Sequence, residues 1–291
     1  MSLIKLVALD MDGTTLDDNH VTVSRKNRSA ISQAIAQGTA VVPATGRSLA
    51  ELPSSVRRIP GVRYAITSNG ASVTDLQSGE ALYENLIDSE TAAEIFETAG
   101  RFSAYAELYY QGRAFMQRDS IPGLLRAFHP LKLCYFLSRR KQVKNLADFV
   151  RRAANPVEKI EILPFSREEQ VKLLAALRDL PVSITTSGMN SVEITNRGVN
   201  KGTALAFLCG LLQIEPRETM AVGDNGNDRE MLEWAGISVA VENADEEIKR
   251  LAGYVTRPNV QSGVATALHR FVLNTTAGDE KSPAETVRRK S

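Results

Sequence analysis

Two carboxylates follow the first apolar run of the chain. Asp10 and Asp12 come after Leu6-Val7-Ala8-Leu9, a continuous run typical of a buried strand in a parallel sheet. Open α/β sheets bind their ligands at the carboxyl ends of such strands. Neighbouring acids repel each other and resist burial unless a cation or hydrogen-bond donors compensate them. The pair therefore indicates a bound positive charge, unless it is only a solvated turn in which aspartates accept backbone hydrogen bonds.

The spacing of the two acids suits covalent transfer of a phosphoryl group. Residues two apart on an extended segment point to the same side. One carboxylate can act as nucleophile and the other as general acid and base, because a covalent aspartyl phosphate divides one slow step into two easier ones. Gly13 lets the backbone turn closely round the transferring group, so that neighbouring N–H groups can face phosphate oxygens. We interpret Asp10 as the nucleophile and Asp12 as the acid and base.

A second pair of acids repeats the pattern near the other end of the chain. Asp224 and Asp228 lie in Gly223-Asp224-Asn225-Gly226-Asn227-Asp228, which follows the apolar run Met220-Ala221-Val222. Acids and amides in a tight loop supply the oxygen ligands that magnesium prefers. Calcium is the nearest competitor, but an EF-hand loop continues to a terminal acid between two helices, and the preceding strand argues against it. The two acidic pairs together predict one magnesium site.

Three further residues could bind phosphate, although each is weak evidence alone. Thr45 ends a predicted strand and offers an uncharged hydroxyl donor, and Gly46 leaves room for a ligand to approach. Lys201 opens a predicted helix and could bind a phosphate oxygen while offsetting the charge of the nucleophile. A Thr-Gly-Arg tripeptide is more often just a turn, and a lysine at a helix start is usually a solvated charge. Thr45, Gly46 and Lys201 indicate a phosphate-binding site only in combination with the two acidic pairs.

Composition restricts the class of partner. The 291 residues include 35 lysines and arginines against 34 aspartates and glutamates, so no overall field favours nucleic acid or an anionic membrane surface. We expect a small metabolite as partner, with no nucleic acid and no membrane. Cys134 and Cys209 form no C-x-x-C pair, which fits a reducing cytoplasm. No secretory signal or membrane span is recognisable, and the sequence indicates no oligomeric state.

Other catalytic signatures are absent or broken. Cys134 and Arg140 have the spacing of cysteine-dependent phosphatases, but the bulky residues between them lack the glycine of an anion cradle. His20, His129 and His269 are isolated in sequence and support no histidine catalysis. No Walker sequence is present.

Hydrophobic periodicity predicts an α/β fold in which a parallel-sheet core is interrupted by an α+β segment. Residues 1–83 alternate strand and helix, the pattern changes over 84–188, and the first pattern resumes over 189–273. The core is therefore expected to be discontinuous in sequence. Residues 274–291 lack apolar periodicity and are predicted to be disordered. The inserted segment is predicted to contain strands at 104–110, 114–117, 131–137, 159–163 and 182–186, and helices at 89–99, 141–154 and 167–180.

The ordered motifs resemble those of the haloacid dehalogenase-like hydrolase superfamily. The four that carry the resemblance are Asp10-Met11-Asp12-Gly13-Thr14-Thr15-Leu16, Thr45-Gly46-Arg47, Lys201-Gly202 and Gly223-Asp224-Asn225-Gly226-Asn227-Asp228. Its Cof-type branch, class IIB, is also similar at Ser68-Asn69-Gly70-Ala71, Glu193-Ile194 and Val239-Ala240-Val241-Glu242-Asn243-Ala244. The resemblance spans most of the chain, from residue 4 to about 272. It implies a Rossmann-like parallel-sheet core with a large cap domain inserted between the second and third motifs.

The resemblance also assigns roles to the motif residues. Asp10 would be the nucleophile and a magnesium ligand, and Asp12 the acid and base that touches the metal through its main-chain oxygen. Asp224 would hold the metal, and Asn227 and Asp228 would complete the loop. The residues expected to bind the substrate phosphate are Thr45, Gly46, Lys201 and Asn227.

The implied activity is magnesium-dependent hydrolysis of a small phosphorylated metabolite through an aspartyl phosphate. A phosphomutase on the same scaffold stays open, as does a catalytically silent metabolite-binding protein, although a retired site has no physical reason to keep four repelling carboxylates. Sugar phosphates, nucleotides and cofactor phosphates are all possible substrates. One departure from the branch is Glu242, where glycine is usual. The candidate contacts of the cap with the leaving group are Tyr109, Tyr110, Arg113 and Lys132.

Overall fold

The computed structural model describes residues 3–118, 137–153, 156–187 and 190–274. Within them the chain divides into two units. Unit 1 contains residues 3–46, 52–83 and 200–274, and unit 2 contains 47–51 and the described part of 84–199. Several predictions fall outside the described residues, namely most of the strand at 131–137, the tail from residue 275, and the side chains of His129, Lys132 and Cys134.

The secondary structure of the described residues alternates strands and helices. The strands are β1 (Leu6–Asp10), β2 (Ala40–Ala44), β3 (Tyr64–Thr67), β4 (Ser72–Asp75), β5 (Ala81–Glu84), β6 (Ala104–Tyr110), β7 (Arg113–Gln117), β8 (Arg140–Val143), β9 (Lys159–Pro164), β10 (Val182–Ser187), β11 (Ser191–Asn196), β12 (Thr219–Gly223), β13 (Ile237–Val241) and β14 (Tyr254–Thr256). The helices are α1 (Arg25–Ala36), α2 (Ser54–Arg57), α3 (Ser89–Ala99), α4 (Leu146–Ala153), α5 (Arg167–Leu177), α6 (Lys201–Leu212), α7 (Arg229–Trp234), α8 (Glu246–Leu251) and α9 (Gly263–Phe271).

Unit 1 is built on an eight-stranded sheet in the order β14-β13-β12-β1-β2-β3-β4-β5. Strand β1 pairs in parallel with β2 on one side and β12 on the other. Every residue of β1 is buried, which explains the continuous apolar run that precedes the first acids. The strand order reverses at β1, so the carboxyl ends of β1, β2 and β12 border the crevice where such sheets bind ligands. The predicted α/β fold with a Rossmann-like parallel-sheet core is confirmed.

Side-chain caps fix where the helices that border this crevice begin. Ser24 accepts a hydrogen bond from the N–H of Asn27 and caps α1, as its position before the apolar face predicts. Asn200 and Thr203 form a reciprocal capping box at the start of α6. Lys201 is therefore the first residue of α6, and its side chain is fully buried.

Unit 2 is built on a six-stranded sheet in the order β10-β11-β9-β6-β7-β8. Its pairs are antiparallel except β7 with β8, which confirms an α+β insertion. Helices α3, α4 and α5 share one apolar cluster with alternate strand residues, among them Leu108, Ile160, Ile162, Val192 and Ile194. The intervening strand positions carry polar side chains instead, among them Tyr105, Glu107, Tyr109, Lys159, Glu161 and Glu193.

The structure differs from the predicted organisation of unit 2 in two places. Strand β11 pairs with β9 and β10, so unit 2 continues to residue 199, whereas the sequence predicted a return to the core after 188. The helix predicted from residue 141 begins at Leu146, because Arg140–Val143 pair with β7 as a strand. In both cases a long-range strand pairing overrides local pattern. Across the described residues we find no helix whose length and apolarity would suffice for a membrane crossing.

Candidate active site

Three carboxylates and one lysine meet beside the carboxyl ends of β1 and β12. Lys201 Nζ donates to Asp10 Oδ1 at 2.6 Å and to Asp228 Oδ1 at 2.7 Å. Asp224 completes the group, because one oxygen from each of the three carboxylates lies within 4.8 Å of the other two. Lys201 and Asp228 are fully buried. The structure thus joins two loops and a helix that are far apart in sequence into one charged group within unit 1.

A tight turn after β1 carries the first acids to this position. The N–H of Leu16 donates to the carbonyl of Met11 at 2.9 Å and closes the turn. Gly13 has φ +79°, and a Cβ at this position would lie 2.5 Å from Asp224 Oδ2. Only glycine fits, because both the left-handed backbone and the close approach of the second acidic loop exclude a side chain. The Thr14 hydroxyl adds a direct link, donating to Asp224 Oδ1 at 2.5 Å.

Three asparagine side chains bind the carbonyl oxygens of this turn. Their amide groups donate to Gly13, Thr15 and Leu16 from Asn243 (2.8 Å), Asn27 (3.3 Å) and Asn259 (3.1 Å), respectively. Because a peptide group is planar, each bound carbonyl fixes the direction of the N–H on the other side of that peptide. No sequence motif predicted a role for these asparagines, and only Asn243 lies in a segment that carried the resemblance. Their contacts are all long-range or to main-chain atoms, which periodicity does not reveal.

Asp228 organises the second acidic loop. Its Oδ2 accepts hydrogen bonds from the N–H groups of Asp224 at 2.9 Å and Asn225 at 3.1 Å, while its Oδ1 binds Lys201. A carboxylate has about four lone-pair positions, so three of those of Asp228 are already used. Asp228 can therefore offer a cation at most one position.

The charges of the group shift its pKa values in ways that favour a further cation. Burial raises the pKa of Asp10 well above its usual range, and the charges of Asp228 and Asp224 add to the rise. Burial and the Asp228 charge likewise raise the pKa of Asp224 to about 6. Burial alone would lower the pKa of Lys201, but the charges of Asp10 and Asp228 outweigh it and raise that pKa. One lysine does not balance three carboxylates, and the donors are all oxygen, so the site fits a hard divalent cation such as magnesium.

The residues predicted to bind phosphate lie on neighbouring segments of unit 1. Thr45 is buried directly after β2, and its N–H donates to the carbonyl of Ile66 in β3 at 2.9 Å. Its own carbonyl accepts from the N–H of Asn69 at 3.1 Å, and Asn69 Oδ1 accepts from Asn227 Nδ2 at 3.2 Å. Gly46 follows Thr45 and is partly exposed. Asn69 therefore joins Thr45 to Asn227, a connection that the sequence did not indicate.

The Asp12 carboxylate stands apart from the group of three. Its Oδ1 lies 3.0 Å from Nδ1 of His20, and the two side chains are 37% and 62% exposed, respectively. His20 is isolated in the sequence, and the fold brings it into contact with Asp12 at the protein surface. A magnesium contact of Asp12 through its main-chain oxygen stays a prediction, as does its role as acid and base.

Two residues weighed earlier have structural partners in unit 2. The Arg140 guanidinium binds Glu107, with Nε 2.5 Å from Oε2, and Glu51, with Nη1 3.1 Å from Oε1. Arg140 is thus tied to two buried acids, and its supposed partner Cys134 lies outside the described residues. Tyr109 is buried and donates to Glu161 at 3.3 Å.

Comparisons with known proteins agree with the geometry. Residues 7–268 match the family of haloacid dehalogenase-like hydrolases. The chain is 31% identical over 281 residues to phosphatase YwpJ of Bacillus subtilis, covering 90% of this chain and 98% of that protein. It is 28% identical over 270 residues to the 5-amino-6-(5-phospho-D-ribitylamino)uracil phosphatase YcsE of the same bacterium, covering 93% and 96%.

A solved structure extends the similarity to three dimensions. A haloacid dehalogenase-like hydrolase from Bacillus subtilis superimposes with a TM-score of 0.82 at 28% identity, covering 92% of this chain and 100% of that chain. The sequence motifs, the parallel sheet and the family match all point to one assignment. The chain therefore belongs to the haloacid dehalogenase-like hydrolases and is an enzyme of their phosphatase group.

Proposed function

We propose that this protein is a magnesium-dependent phosphatase that hydrolyses small phosphorylated metabolites through an aspartyl phosphate on Asp10. The observation that carries the proposal is the buried contact of Lys201 with both Asp10 and Asp228, beside Asp224. A buried nucleophile with a fixed cation is suited to an anionic substrate, because the cation offsets the repulsion between carboxylate and phosphate. The named phosphatase activities of the relatives support the same reaction class.

The first half of the reaction moves the phosphoryl group to the enzyme. The substrate phosphate lies among Thr45, Lys201 and Asn227, and the partly exposed backbone of Gly46 leaves room for its approach. A carboxylate oxygen of Asp10 forms a bond to phosphorus while the bond from phosphorus to the leaving oxygen breaks. Asp12 gives its proton to that oxygen, so the leaving group departs as an alcohol.

The second half returns the enzyme to its starting state. Asp12, now ionised, takes a proton from a water molecule whose oxygen bonds to phosphorus. The bond between phosphorus and the Asp10 oxygen breaks, which releases inorganic phosphate and restores the carboxylate. Asp12 has then regained the proton that it lost, so the two halves balance.

The metal would be held by residues of both acidic loops. Carboxylate oxygens of Asp10 and Asp224, the main-chain oxygen of Asp12 and the remaining position of Asp228 are the candidate ligands. When bound, magnesium supplies positive charge that stabilises the transferring phosphoryl group. Lys201 supplies a second, permanently placed charge.

Phosphate release from a panel of phosphorylated metabolites tests the proposal. The panel contains sugar phosphates, nucleotides, flavin mononucleotide, pyridoxal phosphate and 5-amino-6-(5-phospho-D-ribitylamino)uracil, each with magnesium or with a chelator. Asp10→Asn should abolish magnesium-dependent release, because the amide cannot act as the nucleophile. Asp179→Asn is the matched control, since its side chain is 89% exposed in unit 2 and should leave the rate unchanged.

The same assay separates the alternatives. Turnover that needs a bisphosphate sugar and yields an isomeric phosphate would identify a phosphomutase. Ligand binding that Asp10→Asn leaves intact, with no release from any compound, would identify a silent binding protein. We place the enzyme in the cytoplasm, where a buried free thiol such as Cys209 stays reduced.

A further inference from the structure

The segment from Thr67 to Gly70, which ends β3, holds an unusual backbone. Three consecutive residues are left-handed, with φ of 53° at Ser68, 57° at Asn69 and 98° at Gly70. Residues other than glycine are uncommon in this region, and they persist where the surrounding structure holds them there. Backbone strain of this kind is found preferentially at active sites, ligand clamps and switch regions.

The residue before this turn carries a second anomaly. The Thr67 hydroxyl is fully buried and has no hydrogen-bond partner among the described residues, and it is the one such buried side-chain atom found in them. A buried polar group without a partner is destabilising and calls for a reason. Strain and an unpartnered hydroxyl thus coincide at one strand end.

The same segment contacts three of the four motifs that form the candidate active site. The N–H of Asn69 donates to the carbonyl of Thr45, and Asn69 Oδ1 accepts from the Asn227 amide. Gly70 lies against the start of α6, where a Cβ at its position would come within 2.2 Å of the Asn200 carbonyl oxygen. The left-handed turn therefore packs directly beside the residue that precedes Lys201.

We propose that Asn69 is a positioning residue that holds the phosphate-binding groups in register, an inference that rests on the proposed function. Its main chain fixes the segment of Thr45, and its side chain fixes the amide of Asn227. A single residue can do both only if its N–H and its side-chain oxygen face neighbouring segments, and the left-handed turn provides this orientation. Asparagine suits the position because it tolerates left-handed φ better than other residues with a side-chain acceptor.

Asn69→Gly distinguishes positioning from a structural role. Glycine adopts the left-handed backbone without strain, so the melting temperature should stay within about 2 °C of the wild type. The side-chain contact with Asn227 is lost, so kcat/KM should fall about fivefold and the affinity for inorganic phosphate should fall by a similar factor. A purely structural residue would instead change stability and activity together.

Gln213→Gly is the matched control. Gln213 has φ 56° and ends α6 at the opposite end from Lys201. The same substitution relieves the same kind of strain there, so it should raise the melting temperature by about 1–3 °C and leave kcat/KM unchanged.

A double-mutant cycle tests whether Asn69 acts through Asn227. If it does, Asn69→Gly combined with Asn227→Ala should be no worse than Asn227→Ala alone. The inference is overturned if the two losses multiply, or if Asn69→Gly keeps phosphate affinity and kcat/KM within twofold of the wild type. Calorimetric titration of inorganic phosphate in the presence of magnesium needs no turnover. A wild type that binds phosphate but releases none from the panel would therefore refute the proposed function while still testing the role of Asn69.

Discussion

Among the described residues, each unit buries one lysine that contacts carboxylates, and the two clusters differ in the backbone that carries them. In unit 1, Lys201 begins a helix, while Asp10 is the last residue of β1 and Asp228 lies in the loop that follows β12. In unit 2, Lys159 lies within strand β9, with Nζ 3.2 Å from Glu161 Oε2 and 3.3 Å from Glu193 Oε2. The same residue types are therefore held at strand ends in one unit and within a continuous sheet in the other.

The acids of unit 2 depend on other side chains. Glu107, Glu161 and Glu193 lie opposite one another on β6, β9 and β11, and like charges in this arrangement are destabilising. Their oxygens accept from side chains, including the hydroxyls of Tyr105 and Ser191. The Tyr109 ring lies beneath Lys159, whose Nζ is 4.5 Å from the ring centre.

The acids of unit 1 use the backbone as well. Two main-chain N–H groups bind Asp228, since the strand ladder ends at Gly223 and leaves loop donors available. Acids at the carboxyl ends of parallel strands lie beside the crevice where such sheets bind ligands, whereas the backbone of a mid-sheet cluster is occupied by pairing. The comparison indicates that backbone context, more than residue type, distinguishes the candidate active site from the cluster in unit 2.

Replacing Lys201 or Lys159 by methionine should have the largest effects, and the two variants should differ in activity and phosphate affinity rather than in stability. Lys201→Met leaves buried Asp10 and Asp228 without their cation, which should lower the free energy of unfolding by about 3–5 kcal/mol and reduce kcat/KM by about 10²–10³. Lys159→Met should lower stability by a similar amount, about 3–5 kcal/mol, yet keep the affinity for inorganic phosphate within about twofold. Denaturant unfolding measures the stability of both variants, steady-state kinetics measures kcat/KM, and calorimetric titration measures the affinity for inorganic phosphate. Equal losses of phosphate affinity in the two variants would remove the distinction between the clusters.

Magnesium should stabilise the protein more strongly as the pH rises. The folded-state pKa values of Asp224 and Asp10 are both raised, so without a cation the contribution of these groups to stability is complete below about pH 4. The contribution of Asp224 is lost as the pH rises through about 6, and that of Asp10 is lost as the pH rises through its own raised pKa. Magnesium binds the ionised forms and opposes this loss. Melting temperatures at pH 5.5, 6.5 and 7.5, with magnesium or with a chelator, should show an increment that grows with pH. If the rise in melting temperature caused by magnesium stayed constant or fell with pH, magnesium would not be binding the ionised forms of Asp10 and Asp224.

Glu161→Gln should have a smaller effect on the melting temperature of the protein. This effect too arises from a buried carboxyl group whose pKa is raised, here in unit 2. Burial raises the pKa of Glu161, with the charges of Glu193 and Glu107 adding to the rise, so ionisation of this group opposes folding as the pH increases. Removing the charge should raise the melting temperature by about 2 °C at pH 7.5 and change it little at pH 5. Magnesium should not alter that difference. A lower melting temperature at pH 7.5 would show that the attraction of Glu161 to Lys159 outweighs the repulsion.

His20→Ala should change stability and kcat the least of the substitutions considered. The contact of His20 with Asp12 is exposed, and exposed pairs of this kind contribute less than about 1 kcal/mol to stability. The melting temperature should move by less than about 2 °C, and kcat should stay within about threefold. A larger loss of kcat at unchanged stability would give His20 a part in placing the acid and base.

The strands and the acids at their ends were predictable because a short stretch of sequence encodes each of them. The run before Asp10 is apolar throughout, since both faces of β1 are buried, and the run before Asp224 repeats that pattern. The unit boundary near residue 188 was harder, because the apolar alternation of β11 is the same whether it pairs in one sheet or the other. Pairing with β9 and β10 decided it.

The sequence by itself determined the types of the candidate site residues, and it placed the acids at strand ends, because both properties depend on residue type and local period. Only the tertiary structure decided which of them meet. Lys201 is 191 residues from Asp10 in sequence, yet its Nζ bridges that acid to Asp228, while the nearby Asp12 turns to His20. Asn69 and Asn243 acquire partners in the same way, through contacts between distant loops that no local pattern encodes. Parallel strands bring distant loops to one edge, and the hydrogen bonds formed there depend on the three-dimensional path of the chain.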